Sequence, residues 1–458
     1  MSETQAALEQ EEEALDPRRV ASILEAVEAG DGARLRELAE PLHAADIADL
    51  LEQIGPAERR DFLALYAREI DGDILSEIDE SIREEVIEAL PQDVVAEAVR
   101  ELDTDDVVDI LEDLEAPQQE RILDALEDAD RVAVERALSY PEYSAGRLMQ
   151  REVVVAPEHW TVGETIDFLR GADHLPDQFY HVILIDPRMR PKGYVTLGRL
   201  LSSRRAIQLR DIVEDSFRTV EATDEESDVA YIFNQYHLIS CPVVDENGRL
   251  VGVITIDDAM NVLDEEHEED MLRLAGVGDE SSISDGVVDT VKGRLPWLLV
   301  NLVTANLAAF VISLFEGTIS ALVALAALMP IVASMGGNAG TQSLTVAVRA
   351  LATRDLTEQN ALRVVRREAG VGLINGVVFA LIMGAVGWGL FGMPLLGAVL
   401  GAALIVNLLI AALAGVVVPL LLDRMGFDPA LSSGTFVTTM TDVFGFFAFL
   451  GLATVVLL

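Results

Sequence analysis

A polar stretch interrupts the apolar C-terminal part of the chain: Pro330-Ile331-Val332-Ala333-Ser334-Met335-Gly336-Gly337-Asn338-Ala339-Gly340-Thr341-Gln342. Its three glycines, amides and hydroxyls are not typical of a helix that faces lipid. In hydrocarbon every backbone N–H and C=O group needs a partner, so polar or irregular backbone persists only where protein covers it or where it lines a wet cavity. The stretch therefore predicts the wall of a polar pathway, with a break in the helix at its glycines.

Charge is unevenly distributed along the 458 residues, which carry 78 acidic and 33 basic side chains and a formal net charge of −45. Nearly all of it precedes Arg294, and residues 295–458 are largely apolar. This division predicts soluble domains first and a membrane domain last. The acidic excess argues against a nucleic-acid partner, because phosphates would be repelled.

The composition also suits a cation-attracting surface. Lysine occurs only at Lys192 and Lys292, however, and an acid-rich, lysine-poor surface is typical of cytoplasmic proteins from salt-loving organisms. The acidic excess alone therefore does not indicate metal binding. The single cysteine, Cys241, excludes a disulfide framework within the chain.

The N-terminal residues 1–16 are acidic and lack an apolar core, so we expect a disordered tail rather than a signal peptide. Residues 17–140 have the apolar spacing of helices throughout. Two blocks within them, 49–56 and 109–117, resemble each other. Stacked helix pairs forming an all-α superhelix are the natural interpretation.

The sequence pattern of residues 141–265 differs from the helical pattern before it, because short β-branched runs alternate with helical segments. Within this region, residues 186–197 align without a gap with residues 245–256, in turn, strand and threonine positions. The pattern predicts two copies of one α/β unit, at about 148–205 and 211–265. An acidic connecting segment, 266–292, follows and precedes the membrane domain, 293–458.

The membrane domain contains five apolar spans, each near the roughly 20 residues that cross a bilayer. They are predicted at 296–315, 319–350, 369–391, 395–422 and 429–457. Basic residues flank alternate connections, which by the positive-inside rule places the N-terminus in the cytoplasm and the C-terminus outside: Lys292, Arg294, Arg349, Arg354, Arg363, Arg366, Arg367 and Arg424.

One ionisable residue, Asp442, lies well inside these predicted spans. A carboxylate in the membrane costs about 2.5 kcal/mol or more, so a cation or a proton must offset its charge. Thr438 and Thr441 lie within about one helical turn of it. With Gly336 and Asn338 these groups supply the hard oxygen ligands that suit Mg²⁺ or Ca²⁺. The alternative is that the glycines serve helix packing and that Asp442 relays protons.

The second α/β copy, from Pro242 to Asp258, resembles the core of a CBS domain. The order of parts, the motif Pro-x₅-Gly-Gly-Asn-x-Gly-x-Gln and the sequence Thr-Asp-Val around Asp442 resemble the MgtE family of magnesium transporters. That resemblance covers nearly the whole chain. It implies a homodimeric, Mg²⁺-selective channel in the plasma membrane, with Asp442 holding hydrated Mg²⁺ and with Gly336, Asn338 and backbone oxygens of the last span assisting.

The same resemblance implies a cytosolic Mg²⁺ sensor that closes the pore. Its acids would be Asp258, Glu266, Glu269, Asp270 and Glu225, partly within the acidic run 264–270, which resembles the family's plug helix. A solvated helix face is an equally good interpretation of such a run. His237, Asn261 and Gly434 depart from the polar or acidic residues expected at those positions.

Resemblance to CBS domains further implies an adenine nucleotide such as ATP in the cleft, with Thr255 and Asp258 holding the ribose. Three alternatives stay open: transport of Co²⁺, Mn²⁺ or Ca²⁺, proton-coupled secondary transport through Asp442, and a membrane-anchored nucleotide sensor without transport. The sequence contains no recognisable enzyme motif, so catalysis is not expected.

Overall fold

The computed structural model describes residues 15–112, 114–172, 175–176, 179–214, 216–277 and 286–458, and leaves out the side chains of 289 and 431–433. The predicted tail, 1–16, lies almost entirely outside the described residues. The chain forms two compact units, Met1–Glu266 and His267–Leu458. Each unit is described by itself.

The first unit opens with short helices, as predicted for residues 17–140. Their bounds are α1 Pro17–Glu28, α2 Gly32–Ala39, α3 Ala44–Gln53, α4 Pro56–Tyr66, α5 Gly72–Ser76, α6 Glu80–Ala89, α7 Gln92–Glu101, α8 Thr104–Glu112, α9 Ala116–Leu123 and α10 Asp128–Ala137. Turn-forming pairs of the sequence, Gly55-Pro56 and Asp71-Gly72, lie at the starts of α4 and α5. Asp71 caps α5 by accepting a hydrogen bond from the Ile74 N–H group at 3.0 Å, which is typical of an N-cap aspartate.

Equivalent side-chain hydrogen bonds support the predicted repeat of blocks 49–56 and 109–117. The Arg59 guanidinium donates to the carbonyl groups of Leu51, at 2.8 Å, and Ile54, at 3.3 Å. At the same interval along the chain, the Gln119 amide donates to the carbonyl groups of Leu111, at 2.8 Å, and Leu114, at 2.9 Å. In both blocks a long polar side chain thus satisfies the carbonyl groups that the end of a helix leaves without partners.

The predicted pair of α/β units is also confirmed, since both contain a three-stranded sheet of the same topology. The first contains β1 Val155–Pro157, α11 Val162–Gly171, β2 His181–Ile185, β3 Pro191–Thr196 and α12 Leu197–Ser202. The second contains β4 Val220–Glu221, α13 Glu226–Tyr236, β5 Ser240–Val244, β6 Leu250–Thr255 and α14 Ile256–Ala275. In each sheet the first pair is parallel and the second antiparallel.

The two copies meet at equivalent positions. His181 pairs with Thr196 across β2 and β3, and Ser240 pairs with Thr255 across β5 and β6. The His181 Nδ1 atom lies 2.5 Å from the Ser240 Oγ atom, so the copies are joined through the first residues of their central strands. Burial lowers the pKa of His181 to about 4, which keeps this ring neutral at physiological pH.

The predicted boundary at residues 265 and 266 lies within a helix. Helix α14 runs without interruption from Ile256 to Ala275, and the next helix, α15, already begins at Val287. The acidic run is therefore the second half of the last helix of the α/β pair. Residues 278–285 of the predicted connecting helix lie outside the described part of the chain.

The second unit contains helices at all five predicted spans: α15 Val287–Ser313, the short α16 Glu316–Ala321, α17 Ala324–Ala352, α18 Ala361–Phe391, α19 Pro394–Arg424 and α20 Ala430–Leu457. Four of them, α15, α18, α19 and α20, are long and apolar enough to cross a membrane. Helix α17 is 29 residues long and carries the polar stretch, which reduces its hydropathy. Helix α19 is the central one, since 50% of its most apolar segment is buried.

We predict that Arg59→Met lowers the free energy of unfolding of the first unit by about 2 kcal/mol, because it removes hydrogen bonds from a charged donor to two helix-end carbonyl groups. Arg59 also lies 2.5 Å from Glu85 while only 3% of its side chain is exposed. Differential scanning calorimetry of the purified protein measures the effect. Arg60→Met is the matched control, because Arg60 is exposed and bonds only to Pro56 within its own helix. Equal transitions for both variants would contradict the prediction.

Candidate ion pathway and regulatory sites

The Gly336-Gly337-Asn338 stretch is not a helix break, and the prediction that it opens a helix is wrong. Helix α17 is continuous from Ala324 to Ala352 and even includes Pro330. Glycine permits irregular backbone without requiring it. In a membrane the helical arrangement already satisfies the carbonyl groups, so these oxygens are not released as ligands by unwinding.

Helix α17 instead has two different faces. Its buried face combines large apolar residues, such as Val332 and Leu344, with small residues at helical spacing: Gly336, Gly340, Ser343 and Ala347. The exposed face carries polar side chains at the same spacing: Ser334, Asn338, Thr341 and Thr345. We call the second set the polar face of α17. It contains the predicted ligand Asn338, whereas the predicted ligand Gly336 lies on the buried face.

The buried glycines allow close helix packing. A Cβ atom added at Gly336 would lie 2.3 Å from the Asn407 Nδ2 atom of α19, and one added at Gly340 would lie 2.6 Å from a Val437 methyl group of α20. Such distances are far below van der Waals contact. The structure therefore gives Gly336 a packing role, which was the alternative interpretation of these glycines.

Asp442 lies on α20 and is half-buried. Thr438, one turn earlier, is also partly exposed, and its hydroxyl donates to the Gly434 carbonyl group at 2.9 Å. Thr441 is fully buried and its hydroxyl donates to the Thr438 carbonyl group at 2.9 Å. Of the two predicted threonines, Thr438 thus shares the accessible side of the helix with Asp442, and Thr441 points into the packed interior.

A cavity of about 240 Å³ lies within the second unit, and we call it the vestibule. Three membrane helices and the end of α14 line it: Trp297 and Asn301 of α15, Thr341, Leu344 and Thr345 of α17, Gly434, Thr435 and Thr438 of α20, and residues 273–276. The vestibule thus joins the polar face of α17 to the accessible side of α20. Gly434, where a polar residue was expected, contributes only backbone.

The vestibule hydroxyls of Thr341, Thr345 and Thr438 keep lone pairs that can accept hydrogen bonds, because their protons are already donated within their own helices. Thr341 donates to the Gly337 carbonyl group at 3.1 Å and Thr345 donates to the Thr341 carbonyl group at 3.0 Å, as Thr438 does within α20. A hydroxyl has one proton to donate, so each oxygen keeps lone pairs that can only accept. Water bound to Mg²⁺ directs its hydrogens outward, and a lining of acceptors matches it.

An ion pair network holds the end of α14 beside the vestibule. The Arg273 guanidinium lies 2.8 Å from a carboxylate oxygen of Asp428, just before α20, and 2.7 Å from one of Glu269. Burial, together with the nearby Asp428 charge, raises the pKa of Asp270. Of the predicted sensor acids, Glu269 and Asp270 thus belong to this network.

Sequence reasoning missed a buried acid, Glu368, because the third span was predicted to begin one residue later. Helix α18 begins at Ala361, and Glu368 is 7% exposed. The Ser343 hydroxyl of α17 donates to Glu368 at 3.1 Å, and Arg367 lies 3.2 Å away. The Arg366-Arg367-Glu368 sequence at the edge of an apolar run was the available signal.

In the first unit, Asp258 lies close to two acids that the sequence analysis also missed, Asp105 and Asp106 of α8. Asp105 is 7% exposed. Burial and then the Asp258 charge raise the pKa of Asp105 well above its usual range and that of Asp106 to about 7. Burial likewise raises the pKa of Asp258 to about 6. At the start of a helix, acids such as Asp105 and Asp106 are ordinarily interpreted as helix-stabilising charges.

The other predicted sensor acids are not brought to this cluster. Glu225 is the exposed N-cap residue of α13, and Glu266 is exposed on α14. Across the described residues, no group of three or more histidine, cysteine or acidic side chains is placed to hold a metal ion.

The residues predicted to hold a ribose are adjacent. The Thr255 hydroxyl donates to Asp258 at 2.7 Å and also contacts Asp257. A hydroxyl and a carboxylate are thus side by side, already bonded to each other.

Oxygen ligands inside an apolar helical unit are what passage of a hard cation requires. In agreement, residues 329–452 match the family model described as a divalent cation transporter. Residues 42–143 match the MgtE intracellular N domain, and residues 209–265 match the CBS domain. The class of protein is therefore a divalent cation transporter with CBS domains.

Sequence identity to known magnesium transporters identifies the family. The chain is 36% identical over 341 residues to the magnesium transporter MgtE of Thermus thermophilus, covering 74% of this chain and 75% of that protein. It is 29% identical over 357 residues to the magnesium transporter MgtE of Bacillus subtilis, covering 78% and 79%. The chain belongs to the MgtE family of magnesium transporters, which is not an enzyme class, and the resemblance drawn from the sequence is confirmed.

Solved structures similar to this chain include soluble parts of such transporters. The cytosolic domain of the Mg²⁺ channel MgtE in complex with ATP is 31% identical, covers 53% of this chain and 99% of its own, and has a TM-score of 0.49. The soluble part of a magnesium transporter is 23% identical, covers 55% and 98%, and has a TM-score of 0.48.

We predict that the first unit is more stable at pH 5.5 than at pH 7.5 in the absence of divalent cations. The pKa values of Asp106 and Asp258, about 7 and about 6, exceed the usual value of about 3.9 in an unfolded chain. The folded state therefore holds more protons on these acids, and their contribution makes its stability fall as the pH rises from about 4 to about 7. His181, with a pKa of about 4, opposes part of this fall below about pH 6.5, because its buried ring stays neutral. Calorimetry at the two pH values measures this dependence.

The double variant Asp105→Asn/Asp106→Asn should reduce this pH dependence, because amides do not ionise. Asp93→Asn is the control, since Asp93 is an exposed acid in the first turn of α7. An unchanged pH dependence in the double variant would show that other groups cause it.

Proposed function

We propose that the protein is a homodimeric Mg²⁺ channel of the plasma membrane, gated closed by cytoplasmic Mg²⁺. The observation that carries the proposal is the half-buried Asp442 carboxylate in a membrane helix, beside helices whose accessible oxygens are acceptors. The N-terminus would lie in the cytoplasm and the C-terminus outside, as the basic residues at the span ends favour.

The charge of Asp442 requires a counter-charge from solution. Among the described membrane helices the basic side chains lie near helix ends, from Lys292 and Arg294 at the start of α15 to Arg424 at the end of α19. A permeating dication supplies the missing charge at the carboxylate. Since occupancy is stabilised by a single acid per chain, the ion can also leave, which conduction requires.

Passage with the hydration shell retained fits the chemistry of the lining. Mg²⁺ dehydrates reluctantly and is usually held through one or two carboxylates with several waters kept. Asp442 would bind the outer waters, and Asn338, Thr341, Thr345 and Thr438 would accept further hydrogen bonds. Gly336 would act only by letting α17 approach its neighbours.

A second copy of the chain would complete the pathway. The polar face of α17 is exposed in the single chain, and uncovered polar side chains are costly in lipid. Pairing two chains around this face would place water and ions rather than lipid against it, and would bring two Asp442 carboxylates to one dication. The remaining apolar surface would contact membrane lipid.

Gating would use the crowded carboxylates of the first unit. Asp105, Asp106 and Asp258 resist ionising together, and although they are not placed to hold an ion directly, a hydrated dication beside them would relieve their repulsion. Helix α14 runs from this unit to the ion pair network beside the vestibule. Mg²⁺ binding in the cytoplasm would therefore order α14, with Glu225, Glu266, Glu269 and Asp270 as further acids, and hold the vestibule closed.

An adenine nucleotide such as ATP would bind through Thr255 and Asp258. Their adjacent hydroxyl and carboxylate suit the two hydroxyls of a ribose. Because Asp258 also belongs to the acidic cluster, nucleotide and Mg²⁺ would influence each other there.

Glu368 favours one alternative function, proton-coupled secondary transport. It is a second buried carboxylate of the membrane unit, hydrogen-bonded to α17 through Ser343. Transport of Co²⁺, Mn²⁺ or Ca²⁺ would use the same oxygen ligands.

We predict that Asp442→Asn abolishes Mg²⁺ flux into liposomes that contain the purified protein, because the neutral amide leaves the dication without a counter-charge. The wild type should conduct without a pH gradient. Asp423→Asn, at the exposed end of α19, is the matched control and should retain flux. Flux that requires a proton gradient would contradict the channel proposal and favour proton-coupled transport. Flux at the wild-type rate in Asp442→Asn would show that Asp442 is not needed for transport.

We also predict that Mg²⁺ slows protease cleavage around residues 260–290, because binding at the acids orders α14. The double variant Asp105→Asn/Asp106→Asn should need a higher Mg²⁺ concentration for the same protection, whereas Asp93→Asn should not. Identical cleavage with and without Mg²⁺ would refute the closing model.

A further inference from the structure

Asn407 is a fully buried amide at the centre of the second unit. It lies on α19, and its side chain is 0% exposed. The Nδ2 atom donates to the Val332 carbonyl group of α17 at 2.7 Å, which joins two membrane helices. The Oδ1 atom has no N–H or O–H donor among the described residues.

Glycines on two other helices enclose this amide. A Cβ atom added at Gly336 of α17 would lie 2.3 Å from Nδ2, and one added at Gly445 of α20 would lie 2.8 Å from Nδ2 and 2.9 Å from Oδ1. The Cα–H groups of both glycines therefore face the amide, and such groups form only weak hydrogen bonds to oxygen. Three helices meet at Asn407, and any larger residue at either glycine would displace it.

If this position served only folding, an asparagine would be a poor choice, because it lowers the stability of the folded state compared with an apolar residue. A buried polar atom without a hydrogen-bond partner destabilises the folded state, and an apolar side chain of the same shape would avoid that cost. Polar residues inside membrane bundles are expensive and are typically associated with function. The two glycines occupy the space beside the amide.

The contacts of Asn407 lie within two helical turns of the predicted ion ligands. Val332 precedes Asn338 on α17 by less than two turns, and Gly445 follows Asp442 on α20 by less than one turn. The hydrogen bond and the two glycine contacts thus fix the separation and rotation of α17 and α20 at this level.

We propose that Asn407 is a positioning residue for transport, which holds the polar face of α17 at the distance from Asp442 that a hydrated dication requires. This inference rests on the proposed function, since it assumes that the ion passes between these groups. Asn407 acts through α17 and α20 and does not contact the ion.

Asn407→Leu tests the proposal, because leucine has the same branching at Cγ and replaces the oxygen and nitrogen of the amide with methyl groups. We expect a folded protein that still conducts, with the Mg²⁺ concentration for half-maximal flux raised about tenfold, since small misplacements of a binding group are costly. Maximal flux should change much less, and the preference for Mg²⁺ over Ca²⁺ should fall. Melting temperature in detergent and flux in liposomes give the two readouts.

Asn306→Leu is the matched control, because the Asn306 amide donates only within its own helix, to the Leu302 carbonyl group at 2.7 Å. Gly445→Ala is the second variant, since its methyl group would push the Asn407 amide aside without altering Asn407. It should raise the half-maximal concentration as Asn407→Leu does.

Wild-type half-maximal concentration and selectivity in a folded Asn407→Leu protein would overturn the proposal and assign the amide to packing. Failure of both variants to assemble would also overturn it and make Asn407 a folding residue. If Asp442→Asn retained flux, the proposed function itself would fail. Loss of flux in Asp442→Asn with unchanged Asn407→Leu kinetics would refute the positioning role alone.

Discussion

The cost of an unmatched charge in hydrocarbon is the constraint on which the membrane unit depends. Asp442 lies in an apolar helix, half-buried, and the described basic side chains of the membrane helices lie near helix ends. Among the described residues, no basic side chain of the membrane helices lies deep enough to neutralise it, so the proposed function requires a path for water and cations. Helix α17 has the two faces that such a path would use: small residues pack it tightly against α19 and α20, and its opposite face carries amides and hydroxyls.

The same constraint operates in the first unit with opposite consequences. Asp105, Asp106 and Asp258 are crowded and buried, so ionising them costs free energy, and the pKa of each is raised. In the proposed function, the isolated acid in the membrane would attract a permeating ion, whereas the acid cluster of the first unit would respond to ions and protons. Helix α14 is continuous from Ile256 to Ala275 and ends at the Arg273 ion pairs.

Much of the architecture could be predicted from the sequence because it depends on local pattern. Apolar spacing located the helices of residues 17–140, the gapless alignment of 186–197 with 245–256 gave two sheets of the same topology, and hydropathy located the spans. The family could also be recognised from the sequence. The position of Asp442 within a span could be predicted as well, since a lone acid in an apolar run is conspicuous. These features require no knowledge of which helix packs on which.

Features that depend on tertiary packing could not be predicted. Gly336 was interpreted as part of a helix break, but its role is set by Asn407, which is distant in sequence. Glu368 was left out of the third predicted span because that span was predicted to begin one residue later. Its packing against Ser343 of another helix depends on the tertiary structure. Asp105 and Asp106 have the pattern of ordinary helix-start acids until Asp258 is placed beside them.

Thiol accessibility along α17 tests the central claim most directly, that its polar face and Asp442 form one pathway for hydrated Mg²⁺. Single cysteines would replace Asn338 or Thr341, with Ala347 on the buried face as control, in a background where the buried Cys241 is changed to serine. We predict that a water-soluble thiol reagent modifies the first two positions, that Mg²⁺ slows this modification, and that Asp442→Asn abolishes the protection. Equal modification rates with and without Mg²⁺, or protection that persists in Asp442→Asn, would contradict the account.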